Sequence, residues 1–347
     1  MSVRAEFGAA PLVPKVCGAD IELANFIRGR ESRGWGGTCD AASRLLLREI
    51  DGISGRSHGR HHSQDWGRKF LPANGGCAYI DLHHLELCIP ECLGADDHVA
   101  SWHAMLRIAN DARRDAERQL FAGERLVVIA NNSDGLGHSY GSHLSFLMSR
   151  PAWNRLFHRR LQELGFLASF FTSSIVFTGA GKVGGENGRA FVPFQLSQRA
   201  DFFECVSAEQ TTYFRPIVNT RDESHAHDHL ARLHVIFFDN VLCHTAAYLR
   251  VGATQLILAL IEAGEIDRRG MVLEDPVAAI RVYSADPTLS ATAPTCDGDR
   301  VTAVGLQRRF WERAAAFVQS GRATGVVPGA EEIVAVWDRI LTGLERR

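Results

Sequence analysis

The chain has 347 residues, of which 46% are hydrophobic and 22% are charged, as is usual for a soluble protein of one large domain or two ordinary ones. Its 38 basic and 40 acidic residues give a formal net charge of −2, so it lacks the basic excess that favours binding to nucleic acids or anionic membranes. Residues 1–16 lack the apolar core of a signal peptide, and no run approaches the roughly 20 apolar residues of a membrane span. We therefore expect a cytoplasmic protein with neither a membrane nor a nucleic-acid partner. The sequence does not fix its oligomeric state.

The eight cysteines are not arranged as a metal-binding or redox motif. None forms a Cys-x-x-Cys pair, and most lie among apolar residues. This usage is typical of reduced, mostly buried thiols in a cytosolic protein rather than of a disulfide framework.

Strands dominate the first two thirds of the predicted elements and helices the last third, which favours an α+β fold. In chain order we predict a strand over 16–24, a helix over 41–50, a polar loop over 51–72, a strand over 78–82, a helix over 98–121 and a strand over 125–130. A helix over 150–169 and short strands over 175–178, 191–196, 216–220 and 233–238 follow. The remaining predicted elements are helices over 254–263, 275–283, 306–320 and 331–345.

The strand over 78–82 carries the most informative residues. Strand alternation places Tyr79 and Asp81 on one face, while Ile80 and Leu82 suit the core on the other. Glu86 follows where the strand ends. A phenol and two carboxylates on a concave face can hold a hard cation such as Mg²⁺. The alternative is a half-exposed strand with ordinary surface acids.

A second pair of acids, Asp20 and Glu22, lies two residues apart in the first predicted strand. Both carboxylates therefore point the same way. Two such charges are costly to place together unless a cation neutralises them, so this pair is a second candidate for metal binding. An exposed edge strand is the alternative.

Residues 179–184 match the Gly-x-Gly-x-x-Gly fingerprint of dinucleotide sites and follow a predicted strand. That fingerprint must open a helix, whereas here a further loop and then a predicted strand follow. We therefore interpret the segment as a glycine-rich turn shaped for close backbone packing or for phosphate contact.

Three arginines beside predicted strand ends, Arg199, Arg215 and Arg221, are candidates for binding phosphate oxygens, although isolated arginines are usually solvated. His143 and His234, taken alone, fit buried core histidines as well as ligands. Two dense histidine groups, one at His58, His61 and His62 and the other at His225, His227 and His229, are interpreted as loop residues, with metal binding as the less favoured alternative.

The ordered set of motifs resembles the family of Pup ligases and Pup deamidase/depupylases, within the glutamine synthetase-like carboxylate–amine ligases. The resemblance covers roughly residues 15–345. Its pieces are Gly-Ala-Asp-Ile-Glu (18–22), Asn-Gly-Gly (74–76), Tyr-Ile-Asp (79–81), Pro-Glu (90–91), Asn-Asn-Ser-Asp (131–134), Ser-Tyr-Gly-Ser-His (139–143), Phe-Thr-Gly-Ala-Gly-Lys-Val-Gly (177–184), Gln-Leu-Ser-Gln-Arg-Ala-Asp (195–201), the segment 215–223, Arg-Leu-His-Val (232–235) and Tyr-Leu-Arg-Val-Gly-Ala-Thr (248–254).

The resemblance implies a curved antiparallel sheet backed by helices, with ATP and Mg²⁺ in a concave cradle. Residues 1–255 would form the catalytic core, and 256–347 a helical part packed on it without the family's small C-terminal domain. It assigns one side of the metal site to Asp20, His143 and His234, and the other side to Glu22, Tyr79 and Glu86. It assigns phosphate neutralisation to Arg199, Arg215 and Arg221, and catalysis to Asp81.

Two activities are consistent with this resemblance. The first is hydrolysis of a side-chain amide or isopeptide bond of a Pup-like modifier, with Asp81 as base or nucleophile. The alternative is ligation, in which a glutamate carboxylate is activated as an acyl phosphate and Asp81 deprotonates the incoming lysine amine.

A nucleotide-binding pseudoenzyme is the third hypothesis, and it is motivated by Leu144, Ser145 and the expected lack of the family's small C-terminal domain. Leu144 and Ser145 stand where the family commonly has Glu-Asn, and Ser173 stands where it usually has arginine. The retained acids, histidines and Arg221 argue against this third hypothesis.

Overall fold

The structure is a computed structural model, and it describes residues 10–31, 37–54, 67–159, 161–211, 214–223, 226–266 and 268–346. The chain divides into two compact units. We call residues 18–92 and 96–142 the sheet unit, and residues 1–17, 93–95 and 143–347 the helical unit.

The α+β class is confirmed by the elements observed. The helices are α1 (Gly37–Glu49), α2 (Ala95–Glu117), α3 (Arg150–Asn154), α4 (Leu161–Thr178), α5 (His244–Ala263), α6 (Pro276–Ser284), α7 (Ala303–Gln319) and α8 (Ala330–Glu345). The strands are β1 (Cys17–Arg28), β2 (Ile53–Ser54), β3 (Lys69–Leu71), β4 (Gly76–Asp81), β5 (His84–Cys88), β6 (Arg125–Ile129), β7 (Ser142–Ser149), β8 (Cys205–Ala208), β9 (Pro216–Asn219), β10 (Leu230–Val235), β11 (Thr292–Pro294) and β12 (Arg300–Thr302). A π-helical turn, Arg155–Arg159, follows α3.

The sheet unit is built on antiparallel strands in the order β1-β5-β4-β3-β2, and β6 pairs with the second half of β1. One face of this sheet is mostly apolar and buried, and helix α1 packs against β4 and β5. The buried residues of this face include Ile21, Leu23, Ala78, Leu85 and Leu87. Strand alternation then leaves the opposite face for polar side chains.

The helical unit has its core around α4 and α5. Helix α4 packs against α5, α6 and α7, and α5 packs against α7 and α8. Both helices are long and apolar enough by composition to cross a membrane, but 72% of the apolar 18-residue window of α4 and all of the corresponding window of α5 is buried inside the protein. Such burial is typical of core helices. The unit also contains the antiparallel pair β7–β10 and the parallel pair β8–β9.

Two predicted strands are wrong. Residues 175–178 form the end of α4, and 191–196 are irregular apart from one bridge between Gln195 and Lys182. The error in α4 has a physical cause: a helix buried on nearly every side has no polar face, so its end is easily mistaken for a short buried strand. The predicted loop over 51–72 contains β2 and β3 at its ends, and His58, His61, His62 and His225 lie outside the described residues.

The predicted division at residue 255 stays a prediction. That position lies inside the continuous helix α5, and the two compact units divide the chain elsewhere. All eight cysteines lie within the described part of the chain and are free thiols. The prediction that most of them are buried is wrong, because only Cys17 and Cys92 are buried, whereas Cys243 and Cys296 are exposed.

A buried ion pair connects distant segments of the helical unit. Lys15 and Glu262 form a salt bridge, and both side chains are fully buried. The backbone N–H groups of Val13 and Ser149 also donate to the Glu262 carboxylate, at 3.2 and 2.7 Å. Because a buried charge is costly without partners, removal of either member leaves the other uncompensated.

We therefore expect Lys15→Met to lower the free energy of unfolding by about 3 kcal/mol, and the double variant Lys15→Met/Glu262→Met to lose less than the sum of the two single variants. Urea denaturation measures both. Arg114→Met, which breaks the exposed pair with Asp111, is the control and should change stability by less than about 0.5 kcal/mol. Additive losses at Lys15 and Glu262 would contradict the coupling.

Candidate active site

Three neighbouring strands of the sheet unit place acids and a phenol in one row. Glu22 on β1 is paired with Glu86 on β5, and Glu86 is paired with Tyr79 on β4. Asp20 and Asp81 lie two residues from Glu22 and Tyr79, so they project from the same face. We call these five residues the carboxylate face. The predicted orientation of Tyr79 and Asp81 is thus confirmed, and β5 brings Glu86 to them. The prediction that Leu82 suits the core is wrong, because Leu82 lies in the turn after β4 and is 65% exposed.

Hydrogen bonds hold the members of the carboxylate face in place. The Tyr79 hydroxyl donates to Glu86 Oε1 at 2.5 Å, and the Gly141 N–H donates to Glu22 Oε2 at 2.7 Å. The Arg68 guanidinium lies over the Tyr79 ring, 3.9 Å from its centroid. The phenol is therefore fixed between a cation on its face and a carboxylate at its tip.

The carboxylate face is electrostatically strained in the absence of a cation. Glu86 is only 4% exposed, and this burial raises its pKa well above the ordinary value. The negative charges of Asp20, Glu22 and Asp81 raise the pKa of Glu86 further, against the opposing hydrogen bond from the Tyr79 hydroxyl. Burial and the neighbouring Glu86 also raise the pKa of Tyr79, so the phenol keeps its proton.

The oxygen atoms of this face are close enough to share an ion. One carboxylate oxygen each from Glu22, Asp81 and Glu86 lie within 4.8 Å of one another. Asp20, Glu86 and the thiol of Cys88 form a second such group within the same distance. Buried carboxylates at this spacing are the donors that hard divalent cations take in proteins. The residues predicted from the sheet unit therefore do converge, and their role as ligands stays a prediction.

Asp81 stands at the mouth of a tight hairpin. The two turn residues that follow it, Leu82 and His83, both have positive φ, 42° and 79°, which non-glycine residues rarely adopt. The Ser43 hydroxyl donates to the His83 carbonyl, and the Asn25 amide donates to the Ser43 hydroxyl at 2.7 Å. This network, which the sequence did not reveal, holds the turn that positions Asp81.

Sequence reasoning also missed His84. It is paired with Asp81 across the hairpin, its Nδ1 lies 3.0 Å from the Leu23 carbonyl, and its ring packs on Tyr140 at 4.5 Å between centroids. The available signal was its position two residues before Glu86, because alternate residues of a strand share a face. That signal could be used only once residues 84–88 were known to form the strand β5.

The helical unit contains a cluster of basic side chains. His143 and His234 lie on the antiparallel pair β7–β10, with their rings edge to face and their centroids 5.5 Å apart. Burial, together with nearby arginines, lowers the pKa of His143 to about 3 and that of His234 to about 2. Both imidazoles are therefore neutral at physiological pH, which is the form that binds metals.

The arginines that lower these pKa values are the three predicted ones and one that was missed. Arg199 and Arg215 act on His143, Arg221 acts on His234, and Arg232 acts on both. We call the two histidines and these four arginines the basic cluster. Arg199 is fully buried, and its Nη1 donates to the Phe238 carbonyl at 3.0 Å, whereas the side chain of Arg221 is 37% exposed. Their assignment to phosphate binding stays a prediction.

The glycine-rich segment packs as the sequence predicted, although it follows a helix rather than a strand. A Cβ atom at Gly179 would lie 2.2 Å from the Leu196 carbonyl oxygen, so only glycine allows this backbone approach. Asp239 accepts hydrogen bonds from the N–H groups of Ala180 and Gln198, at 2.8 and 2.9 Å. One carboxylate thus joins the glycine-rich turn to the segment that carries Arg199.

The residues that depart from the family pattern have structural roles here. Leu144 is fully buried on β7. Ser173 lies in the buried helix α4, where its hydroxyl donates to the Ser169 carbonyl at 2.7 Å and accepts from Gln307 Nε2 at 2.9 Å. Leucine at position 144 has no oxygen that could bind a cation, whereas the glutamate that is common in the family at this position has one.

Comparison with known proteins identifies the class to which this α+β fold and its acidic sheet face belong. The family model described as Pup-ligase protein matches residues 23–347, and the chain therefore belongs to this family. The resemblance drawn from the motifs is confirmed.

Individual relatives include both activities of the family. The chain is 40% identical over 275 residues to a Pup deamidase/depupylase of Mycolicibacterium smegmatis, covering 79% of this chain and 53% of the relative. It is 33% identical over 350 residues to the Pup--protein ligase of Corynebacterium diphtheriae, covering 98% of this chain and 67% of the relative. The chain spans about half the length of the depupylases that it matches.

Solved structures of the ligase share the fold. A crystal structure of the complex between the prokaryotic ubiquitin-like protein Pup and its ligase PafA matches with a TM-score of 0.77 and 27% identity, over 96% of this chain and 64% of that one. A structure of the Pup ligase PafA in complex with ADP matches with a TM-score of 0.68 and 29% identity, over 87% of this chain and 69% of that one. The predicted fold is confirmed by these neighbours.

The strain on the carboxylate face predicts how stability depends on pH. An acid whose pKa is raised on folding favours the folded state below its ordinary value, near 4.5 for glutamate, and that contribution is lost as the pH rises through the folded-state value. In buffer with a metal chelator, Glu86→Gln should therefore be more stable than the wild type at pH 8, by at least about 1 kcal/mol.

This gain from Glu86→Gln should shrink as the pH falls towards 4.5, as measured by urea denaturation across the pH range. Glutamine still accepts the hydrogen bond from Tyr79, so packing is matched. Asp51→Asn, at an exposed carboxylate of the same unit, is the control. Stability curves of wild type and Glu86→Gln that run parallel from pH 4.5 to 8 would show that Glu86 is not strained.

Proposed function

We propose that this chain is an ATP- and Mg²⁺-dependent cytoplasmic enzyme of the Pup pathway that hydrolyses a side-chain amide or isopeptide bond of a Pup-like modifier or its conjugates. The observation that carries the proposal is the buried convergence of Glu22, Glu86 and Asp81 on one sheet face. The higher identity to depupylases, 40% against 33% for the ligase, supports hydrolysis over ligation.

The donor set of the carboxylate face suits Mg²⁺. Glu22 and Glu86 offer buried carboxylate oxygens, and Asp20 adds a third acid on the same face. Mg²⁺ prefers few carboxylates together with water and phosphate oxygens, and when bound it would neutralise phosphate charge. The assignment of Asp20, His143 and His234 to one cation rests on the resemblance alone.

The basic cluster suits the phosphates of ATP. Its guanidinium groups offer planar pairs of donors that match phosphate oxygens, and its neutral imidazoles add no competing anion. Arg221 is the best candidate for direct contact because its side chain is partly exposed, whereas Arg199 is buried and bonded to the backbone. The PafA structure in complex with ADP supports nucleotide binding in this family.

Asp81 would be the catalytic residue. Its carboxylate is half-buried at the hairpin mouth, beside Glu22 and Glu86. As a general base it would take a proton from water, whose oxygen adds to the amide carbonyl carbon; the C–N bond then breaks, and the amine leaves with a proton. As a nucleophile, Asp81 would add to that carbon itself, and the amine would leave with a proton as the C–N bond breaks. Water would then hydrolyse the resulting acyl–Asp81 anhydride and restore the carboxylate.

Ligation is the second candidate, because the Corynebacterium diphtheriae ligase aligns with 98% of this chain and PafA shares the fold. A substrate glutamate carboxylate would attack the γ-phosphate of ATP to form an acyl phosphate. Asp81 would then take the proton of the lysine amine that displaces phosphate. The two activities differ in ATP use: ligation consumes one ATP per bond, whereas hydrolysis of an amide does not require net ATP consumption.

Substitution of the catalytic aspartate tests the proposal directly. Asp81→Asn keeps the size of the side chain but removes the base, so we expect cleavage of a Pup-conjugated protein to fall at least about 100-fold while ATP·Mg²⁺ binding is retained. Gel-based cleavage with parallel phosphate release measures both activities. Undiminished activity in Asp81→Asn would refute the catalytic assignment, and wild-type ATP binding without any turnover would favour the pseudoenzyme.

Removal of a carboxylate tests the metal assignment separately. Glu86→Ala should abolish the Mg²⁺ dependence of ATP binding in calorimetry, because the buried oxygen that completes the cation site is gone. Asp51→Ala, at an exposed acid of the same unit, should bind like the wild type. An unchanged Mg²⁺ dependence in Glu86→Ala would place the cation elsewhere.

A further inference from the structure

Two cysteines lie on the carboxylate face, and the proposed function uses neither. Cys77 on β4 and Cys88 on β5 are directly paired in the strand register, and Asp20 on β1 is paired with Cys88 from the other side. All three follow the same alternation as Tyr79 and Glu86, so their side chains project from the face that carries the acids.

We infer that this face has a second cation preference: Cys88, Asp20 and Glu86 form a binding site for a thiophilic divalent cation, of which Zn²⁺ is the representative. The Cys88 sulfur and one carboxylate oxygen from each acid lie within 4.8 Å of one another. Ligand atoms on a tetrahedral zinc ion lie about 3.5 Å apart, so side-chain movements of about 1 Å close the site.

The chemistry of the donors sets the preference. Mg²⁺ takes oxygen ligands, whereas Zn²⁺ is bound well by a mixture of thiolate and carboxylate. One thiolate and two carboxylates leave the fourth tetrahedral position of Zn²⁺ for water. The sulfur of Cys88 therefore favours Zn²⁺ at a place where an oxygen residue would favour Mg²⁺.

Cys88, rather than Cys77, is the sulfur that faces the acids. The Arg68 guanidinium donates to Cys77 Sγ at 3.4 Å, so a fixed positive charge already lies beside Cys77 and opposes a second cation there. The Cys88 sulfur, by contrast, lies within 4.8 Å of a carboxylate oxygen from Asp20 and from Glu86. The surroundings of this sulfur are acidic, and a bound cation would reduce the repulsion between the carboxylates.

Zn²⁺ at this site would occupy Asp20 and Glu86, two acids of the proposed Mg²⁺ site. Micromolar Zn²⁺ should then inhibit the enzyme, and excess Mg²⁺ should relieve the inhibition. This consequence for activity rests on the proposed function, whereas the binding itself does not.

Cobalt substitution tests the binding without nucleotide or substrate. Titration of the reduced full chain with Co²⁺ should produce a near-ultraviolet thiolate-to-cobalt charge-transfer band that saturates at one equivalent, and Zn²⁺ should bleach it. Cys88→Ser should remove the band and weaken Zn²⁺ binding at least about tenfold in a chelator competition. Cys92→Ser, at a buried thiol whose hydrogen bonds go to Pro90 and Ser101, is the matched control and should keep both.

A wild-type protein without the band, or a band that survives in Cys88→Ser, overturns the inference. If Cys88→Ser does not fold, X-ray absorption at the zinc edge on wild-type protein with one equivalent of Zn²⁺ tests the site instead. One sulfur at about 2.3 Å among lighter ligands supports the site, while an all-oxygen or a multi-sulfur shell overturns it. Loss of ATP-dependent activity would leave these spectra unchanged, so failure of the proposed function and failure of this inference are distinguishable.

Discussion

The row of Glu22, Glu86 and Tyr79 across three paired strands is the constraint on which the sheet unit depends. Antiparallel register fixes these side chains next to one another, and burial removes the water that would otherwise screen them. The hydrogen bonds from the Tyr79 hydroxyl and the Gly141 N–H offset only part of the repulsion. The apolar face behind the row, with Ile21 and Leu87, keeps the strands in place despite it.

The basic cluster of the helical unit shows the opposite imbalance. His143 and His234 are kept neutral by burial and by arginine charges, and two of those arginines, Arg221 and Arg232, lie 3.9 Å from the Glu223 carboxylate. Four guanidinium groups around two neutral imidazoles form a setting that suits an anion such as phosphate.

Strand alternation was enough to predict that Tyr79 and Asp81 share a face, and the spacing of Asp20 and Glu22 was enough to pair them. Alternation alone could not predict the row, because the strand register depends on a two-residue turn in which Leu82 has a positive φ. A leucine in the sequence does not indicate that conformation. Arg232 was missed for a similar reason: it becomes part of the basic cluster only through tertiary proximity to the histidines. The predicted helix ended before the observed end of α4, because a helix buried on nearly all sides lacks the alternation of apolar and polar faces that marks a helix in the sequence.

The energetic cost of the carboxylate face also weighs against a site that has lost its ligand. Buried acids that repel one another lower stability unless a cation binds, and apolar residues of similar size in the same strands would avoid that cost. A chain that only needed this fold would be more stable with glutamine or leucine in place of Glu86. The proposed cation would remove that cost, and the sulfur of Cys88 would then decide which ions the face accepts.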